Sequence, residues 1–449
     1  MSDVKVRFAP SPTGMLHVGN ARAALIGYLF ARKMNGHFLL RIDDTDQIRS
    51  KDEYEQEIET SLKWLGIDWD EKTRQRERMG RYEDVIAQLK ADGRLYTCYE
   101  TPEELGLKRK TLLNSGKPPV YDREGLTLCD EKRAAYEAEG RSAHWRFKLN
   151  HDPIIWNDLI RGDVRFHGQD MSDPVLLRED GTPLYHLCSV VDDIDYGITH
   201  VIRGEDHVSN TAAHIQMFEA IGAKAPDFAH LSLISDIEGG KLSKRLGSMS
   251  MHDLREEEGI EAMALTSLMA RLGSSEPIEA FTSMQPLIDS FDFSKFSRST
   301  PKFDPDEVMR LNAKILHDTP FEDAQNRLIA LGLDNVDAAF WNAVQANLER
   351  LSDIKDWWDI AKGDVTSVIE DAEFIAQAAA LLPPAPWDEG TWGAWTNAVK
   401  EKTGRKGKKL FMPLRKALTG MEHGPELPVM LQLIGPDIAK ARLAVTFDE

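Results

Sequence analysis

The sequence predicts an α/β protein: a doubly wound parallel-sheet domain that carries an inserted α+β domain and is followed by all-helical domains. Three observations predict it. Strand, helix and strand patterns fill residues 4–42, a stretch of short mixed elements then breaks the alternation over 97–185, and beyond about residue 250 no alternating period-two segment recurs.

Val4 to Phe8 alternates apolar and basic residues, and Ala9-Pro10-Ser11-Pro12-Thr13-Gly14 ends the pattern with two prolines and a glycine. From Val18 to Met34 helix formers dominate, with Ala21, Leu25 and Leu29 at helical spacing, until Gly36 stops the helix. His37 to Ile42 returns to strand character. Such a βαβ unit implies a parallel sheet, whose ligands bind beyond the carboxyl ends of the strands, where the Pro-Ser-Pro-Thr-Gly loop falls. A further αβ stretch runs to Tyr96. Strand–helix alternation resumes near Leu187–Val191, with a strand at Ile198–Ile202, a helix at Ser209–Ile221 and a short strand at Leu231–Ile234. The predicted division is 1–96 and 186–238 for the two halves of the sheet domain and 97–185 for the insert. Residues 239–310 form a loop and the segment after it, and 311–449 a helical region. Pro301, Pro305 and Pro383-Pro384-Ala385-Pro386 punctuate the helical part.

The 449 residues are 42% hydrophobic and 29% charged, which is globular composition and excludes collagen-like, disordered and disulfide-scaffold classes. No apolar run approaches the roughly 18 residues that span a bilayer, and the N-terminal MSDVKVRF lacks the apolar core of a signal peptide. Cys98, Cys129 and Cys188 are odd in number and far apart, as in a reducing compartment. A soluble cytoplasmic protein is expected. The net charge of −19 disfavours non-specific coating of nucleic acid, yet binding follows local patches, and Lys400 to Lys409 carries six cations and one acid.

Two segments carry chemistry. In Pro10 to Asn20, Gly19 at a helix start lets a ligand approach the backbone, free N–H groups there favour anions, and His17 and Asn20 project from one face of the first turn. A histidine that only caps the helix is the plainer alternative. In Gly239-Gly240-Lys241-Leu242-Ser243-Lys244-Arg245-Leu246-Gly247, three cations stand among glycines, and a lysine on its flexible stem suits charge developing on a phosphate. A solvated basic loop is the alternative here.

With both segments in one chain, the sequence resembles a bacterial-type glutamyl-tRNA synthetase, a class I aminoacyl-tRNA synthetase. His17-Val18-Gly19-Asn20 resembles the HIGH signature and Lys241-Leu242-Ser243-Lys244-Arg245 the KMSKS signature. More specific are Arg7-Phe8-Ala9-Pro10-Ser11-Pro12-Thr13-Gly14, Arg41-Ile42-Asp43-Asp44-Thr45-Asp46, Val201-Ile202-Arg203-Gly204-Glu205-Asp206, Pro301-Lys302-Phe303-Asp304 and Leu410-Phe411-Met412-Pro413-Leu414-Arg415. The resemblance spans nearly the whole chain.

It implies a Rossmann-type catalytic domain, an insert that binds the tRNA acceptor end, a stem-contact segment and a helical anticodon-binding region. It implies formation of glutamyl adenylate from L-glutamate and ATP with Mg²⁺, then transfer to the terminal adenosine of tRNA. His17 and Lys244 are the expected catalytic residues. ATP is expected on Ser11, Pro12, Thr13, Gly14, His17, Gly19, Asn20, Lys241, Ser243, Lys244 and Arg245. Glutamate is expected on Arg7, Ala9, Ser11, Asp43, Tyr185, Ser189 and Arg203. The two arginines would fork the carboxylates and Asp43 would take the ammonium. Where the family more often has glutamate and asparagine, this chain has Asp43 and Ser189, one methylene and one amide shorter. No zinc is expected, because Cys98 is followed by Tyr99-Glu100 and no cysteine follows Tyr121-Asp122 at the family's spacing. The family expectation is a monomer without membrane contact. A glutaminyl enzyme, whose anticodon-binding part is usually β-barrel, and a catalytically dead tRNA-binding paralogue are the rivals.

Overall fold

The computed structural model describes residues 3–237, 250–363 and 365–445. The strands are β1 (Lys5–Phe8), β2 (His37–Ile42), β3 (Glu71–Arg74), β4 (Leu95–Cys98), β5 (His144–Phe147), β6 (Pro153–Asp158), β7 (Gly162–His167), β8 (Val175–Leu177), β9 (His200–Gly204) and β10 (Asp227–Leu231). Seven of them form one sheet in the order β3-β2-β1-β9-β10-β6-β7. Every pairing is parallel except the β6–β7 hairpin at one edge. Order reverses between β1 and β9, so the crevice at their carboxyl ends is the switch point where such sheets bind ligands.

The first βαβ unit follows the expected pattern. Helix Val18–Lys33 buries Ala21, Ala24, Leu25 and Leu29. Asn35 at φ +51° turns the chain, and Gly36 passes so near Val4 that a Cβ there would stand 2.5 Å from its carbonyl oxygen. His37 then enters β2 by donating to that same oxygen at 2.9 Å.

The structure completes one reading from sequence and shifts another. Leu187–Val191 is helical, inside Tyr185–Asp195. A buried run of five residues fits a strand or a helix equally by composition, and here all five are buried in the helix. The last strand lies at Asp227–Leu231, four residues before the expected start, where it pairs with all of β9.

Within 97–185, β4, β5 and β8 make a separate antiparallel sheet, but Asp158 at the end of β6 pairs with Phe228 of β10. The interruption therefore donates its hairpin to the main sheet. Leu95, Phe147 and Leu176 also share one hydrophobic cluster with Val190, Ala212 and Phe218. By contact density the chain divides into 1–258 with 265–305, and 259–264 with 306–449.

The second unit contains no strand among its described residues. One of its cores gathers Phe340, Trp341, Val344 and Ile354, the other Phe374, Trp392, Trp395, Leu414 and Leu431. Trp392 and Trp395 are thus core residues, while Trp357, Trp358 and Trp387 pack half-buried against the two cores. The basic run stays at the surface: Lys400, Lys402, Lys406, Lys408 and Lys409 are exposed, and Arg405 pairs with Asp371 at 2.5 Å. No helix among the described residues is long and apolar enough to cross a membrane.

Candidate active site

A cleft of about 430 Å³ opens at the switch point, lined by residues from the carboxyl ends of β1, β9 and β10 and from the start of helix Val18–Lys33. Two backbone bonds close its β2 side: Asp43 donates to the Pro10 carbonyl at 2.9 Å and Lys51 to that of Pro12 at 3.0 Å. These bonds bring the loop after β1 against the loop after β2, so that Ser11, Arg7 and Asp43 share one wall.

Beneath that wall lies the Arg41 guanidinium, 0% exposed. Its Nε donates to Asp43 Oδ1 at 2.7 Å, and its terminal nitrogens reach Asp43 Oδ2 at 3.2 Å, Asp193 Oδ1 at 2.7 Å and Ser189 Oγ at 3.1 Å. Asp192 Oδ2 stands 3.7 Å away and accepts from Gln75 and Tyr82, while Arg78 donates to Asp192 Oδ1. Arg7 joins through Nε, which donates to the shared Asp193 Oδ1 at 3.1 Å. Arg7, Arg41 and Arg78 thus face Asp43, Asp192 and Asp193, a charge-balanced cluster. Burial pushes the Asp43 carboxyl up to about 6 against the pull of Arg41.

Arg203, at 7% exposed, is different. It donates to Tyr185 Oη at 2.9 Å, Thr211 Oγ1 at 2.6 Å, the His207 carbonyl at 3.3 Å and His230 Nε2 at 3.3 Å. All four acceptors are neutral. Burial, and then Arg203 itself, hold His186, His207 and His214 below the usual imidazole range, so none of them adds a charge at neutral pH. Burial also lowers the arginine from its ordinary value, but a guanidinium stays protonated. No carboxylate pairs with it among the described residues. A buried guanidinium with no carboxylate in hydrogen-bond contact is costly to keep, and among the described carboxylates only the more distant Asp193 attracts it, which makes Arg203 a candidate anion site. Arg7 complements it, because the one hydrogen bond its guanidinium makes among the described residues goes through Nε.

His17 is the residue before the helix, and its Nδ1 accepts from the Asn20 N–H at 3.4 Å, so the capping alternative holds as geometry. The same bond leaves a neutral ring with its proton on Nε2, a donor suited to an anionic oxygen. Burial lowers the imidazole from its ordinary range, opposed by Asp206, and favours that neutral form. Gly19 makes room, since a Cβ there would lie 3.2 Å from the ring.

The cleft gathers Arg7, Ala9, Ser11, Thr13, His17, Gly19, Asn20, Asp43, Tyr185 and Arg203 of the expected residues. Pro12, Gly14 and Ser189 do not line it. Ser189 is fully buried one layer behind, against Arg41. Lys241, Ser243, Lys244 and Arg245 lie outside the described residues. Sequence reasoning gave no role to Arg41, Arg22 or His207. Arg41 stands inside a quoted motif and Arg22 three residues past Gly19, so both were within reach; His207 gave no signal of its own.

In the inserted segment, Cys98, Glu100 and His144 bring one donor atom each within 4.8 Å of one another, as do Glu100, Asp122 and Glu124. Lys108 Nζ already stands among the latter, 3.3 Å from Glu100, 3.0 Å from Asp122 and 2.5 Å from Glu124. Burial pushes the Cys98 thiol up to about 11.

A parallel sheet with a crevice at its switch point and a histidine at the helix start there is the arrangement of a class I synthetase catalytic domain, and the family match assigns it. Residues 3–310 match the family described as tRNA synthetases class I (E and Q), catalytic domain, and residues 334–446 match an anticodon binding domain. The chain belongs to the class I tRNA synthetases of the glutamate and glutamine group. It is 57% identical over 441 residues, 98% of this chain and 99% of the relative, to a glutamate–tRNA ligase of Azospirillum brasilense. It is 53% identical over 440 residues, again 98% and 99%, to glutamate–tRNA ligase 1 of Maricaulis maris. Among solved structures it resembles a glutamate–tRNA ligase of Elizabethkingia meningosepticum in complex with its amino acid, with a TM-score of 0.86, 30% identity and 98% of each chain covered.

Arg41 should prove structural as well as functional. Arg41→Met leaves Asp43, Asp192 and Asp193 buried without their shared cation, and the expected loss of stability is about 3–5 kcal/mol. Urea denaturation reads it; a loss under about 1 kcal/mol contradicts the cluster.

Proposed function

We propose that the chain is a glutamate–tRNA ligase working through the cleft residues described above. The observation that carries the reading is the match between ligand and site: L-glutamate has two carboxylates and one ammonium, and of the cleft's charged groups (Arg7, Arg22, Arg203, Asp43 and Asp206) Arg7 and Arg203 keep unspent N–H groups and Asp43 stands on the same wall as Arg7. Arg203 and Arg7 bind the carboxylates, and Asp43, aligned by Arg41, takes the ammonium. The full-length likeness to glutamate–tRNA ligases supports the same substrate.

ATP, carrying Mg²⁺ on its phosphates, lies over Ser11, Thr13, His17, Gly19 and Asn20. The α-carboxylate of glutamate attacks the α-phosphorus, the bond to the β-phosphate oxygen breaks, and pyrophosphate leaves with the electron pair. Both reactants are anionic, so positive charge and oriented donors at the reacting phosphate lower the barrier. His17 Nε2–H supplies one donor, and Lys244 the mobile charge. The 2′-hydroxyl of the terminal tRNA adenosine then attacks the acyl carbon, its proton passes to the departing phosphate oxygen, the acyl–phosphate bond breaks and AMP leaves. The second unit, with its exposed lysines at 400–409, contacts the tRNA backbone near the anticodon. The protein acts as a cytoplasmic monomer.

The chain does so without structural zinc. The Lys108 ammonium already stands among the carboxylates of Glu100, Asp122 and Glu124, where it supplies the positive charge. Elemental analysis of the purified protein should find far less than one zinc per chain; one per chain overturns this part.

The test of function is charging of purified glutamate and glutamine tRNAs with labelled glutamate, ATP and Mg²⁺. Glutamate ester on glutamate tRNA, lowered about 10²–10³-fold in His17→Ala, is the expected result. Ester on glutamine tRNA as well marks a non-discriminating enzyme. No ester on either overturns the proposal.

The pH dependence has a definite sign. Below pH ~6 Asp43 takes up a proton and loses the charge that binds the ammonium. The KM for glutamate should therefore rise as pH falls through about 6, and Asp43→Asn should start high and flatten the curve. An unchanged profile in that variant contradicts the assignment.

A further inference from the structure

Behind Arg203 lies a buried pair that the reaction as written does not use. Asp158, 1% exposed, ends β6, and His230, 0% exposed, lies in β10, the strand that pairs with it. Asp158 Oδ2 is 2.5 Å from His230 Nδ1. Its other oxygen is fully committed to backbone: Oδ1 accepts N–H donors from Ile160 at 3.1 Å, Arg161 at 2.9 Å and His230 at 3.2 Å. Against the upward push of burial, the His230 ring and then the backbone N–H donors of Arg161 and His230 hold Asp158 below the usual carboxylate range, so it is ionised. An ionised Oδ2 can only accept, so the proton between the pair sits on Nδ1.

The far side of the ring follows from that. A neutral imidazole protonated on Nδ1 presents a bare Nε2, and this atom faces Arg203 Nε at 3.3 Å and Thr211 Oγ1 at 2.9 Å. Both can donate to it. The opposite tautomer would aim N–H at N–H. The arrangement also solves an electrostatic problem. A carboxylate placed directly against Arg203 would hold the guanidinium still but spend the charge that the substrate needs. One imidazole between them gives Arg203 a neutral acceptor and leaves its charge for the ligand.

We propose that Asp158 and His230 are positioning residues for amino-acid binding: Asp158 fixes the tautomer of His230, whose bare Nε2 aligns Arg203 for a substrate carboxylate without neutralising it. The inference rests on the reading of Arg203 as a carboxylate-binding residue. It also gives the β6–β7 hairpin, contributed by the interruption to the main sheet, a role in the cleft.

Asp158→Asn is the informative variant. The three backbone donors keep an oxygen on their side, so the amide NH₂ must face Nδ1 and push the ring proton to Nε2. Imidazole ¹⁵N spectra of the full-length protein, with the His230 signals assigned by their loss in His230→Gln, should show Nδ1–H in the wild type and Nε2–H in Asp158→Asn. Kinetics with tRNA present should show the KM for glutamate up about tenfold or more in Asp158→Asn, with the KM for ATP and kcat nearly unchanged. His230→Gln, which keeps an acceptor near Nε2, should stay closer to wild type than His230→Leu. A wild-type ring protonated on Nε2 overturns the proposal. So does a switched tautomer with unchanged glutamate KM, or a KM for ATP that rises in parallel. Calorimetric titration of the wild type with glutamate separates the two levels: no binding there overturns the functional reading, whereas binding with an indifferent Asp158→Asn overturns only the relay.

Discussion

The buried guanidinium of Arg41 is the constraint on which the cleft depends. It projects from β2 and is held by Asp43 just beyond that strand and by Asp193 on helix Tyr185–Asp195, more than 140 residues later. The long interruption separates these two halves in sequence, and the ion cluster rejoins them at the substrate wall. Desolvating so many charges is expensive, and only near-ideal geometry offsets it. The geometry is met by bidentate contact with Asp43 and by the shared oxygen of Asp193. Because this cluster balances itself, it brings no net charge to the cleft, and its Arg7 and Asp193 act on Arg203 in opposite directions. What remains is the unmatched charge of Arg203.

That division of labour explains the chemistry. A balanced cluster fixes where Asp43 and Arg7 stand, and an unbalanced arginine supplies the attraction. Neutral partners around Arg203, the hydroxyls of Tyr185 and Thr211 and the ring of His230, orient it without competing for its charge. Arg22 repeats the pattern on the opposite wall: it is buried, pushed down to about 10 by burial, and donates only to the carbonyls of Ser232 and Leu272 among the described residues. A cleft built this way prefers anions, as two anionic substrates require.

Much of this was legible in the sequence. The first βαβ unit announced itself through alternation, helical spacing and the stop at Gly36, and the motifs around Arg7, His17 and Arg203 led to residues that share one cleft. Less legible was anything set by long-range packing. Leu187–Val191 marked the return of strand–helix alternation without showing which element it was, because five apolar or small residues carry no period. Ser189 read as a ligand and lies behind the wall, because its hydroxyl is drawn to Arg41. Asp158 and His230 gave no signal: they are 72 residues apart and meet only because β6 pairs with β10. The segment with Lys241 and Lys244 lies outside the described residues, and its place in the reaction rests on its motif.

The central claim is that Arg203 stands as an oriented, unneutralised cation waiting for a carboxylate of the substrate. A crystal structure of the protein with L-glutamate bound tests it most directly. The account predicts one glutamate carboxylate within hydrogen-bond distance of Arg203, roughly 2.7–3.2 Å, with the contacts to Tyr185, Thr211 and His230 kept. Glutamate bound elsewhere in the cleft, or an Arg203 that swings away from those three partners to meet it, contradicts the account.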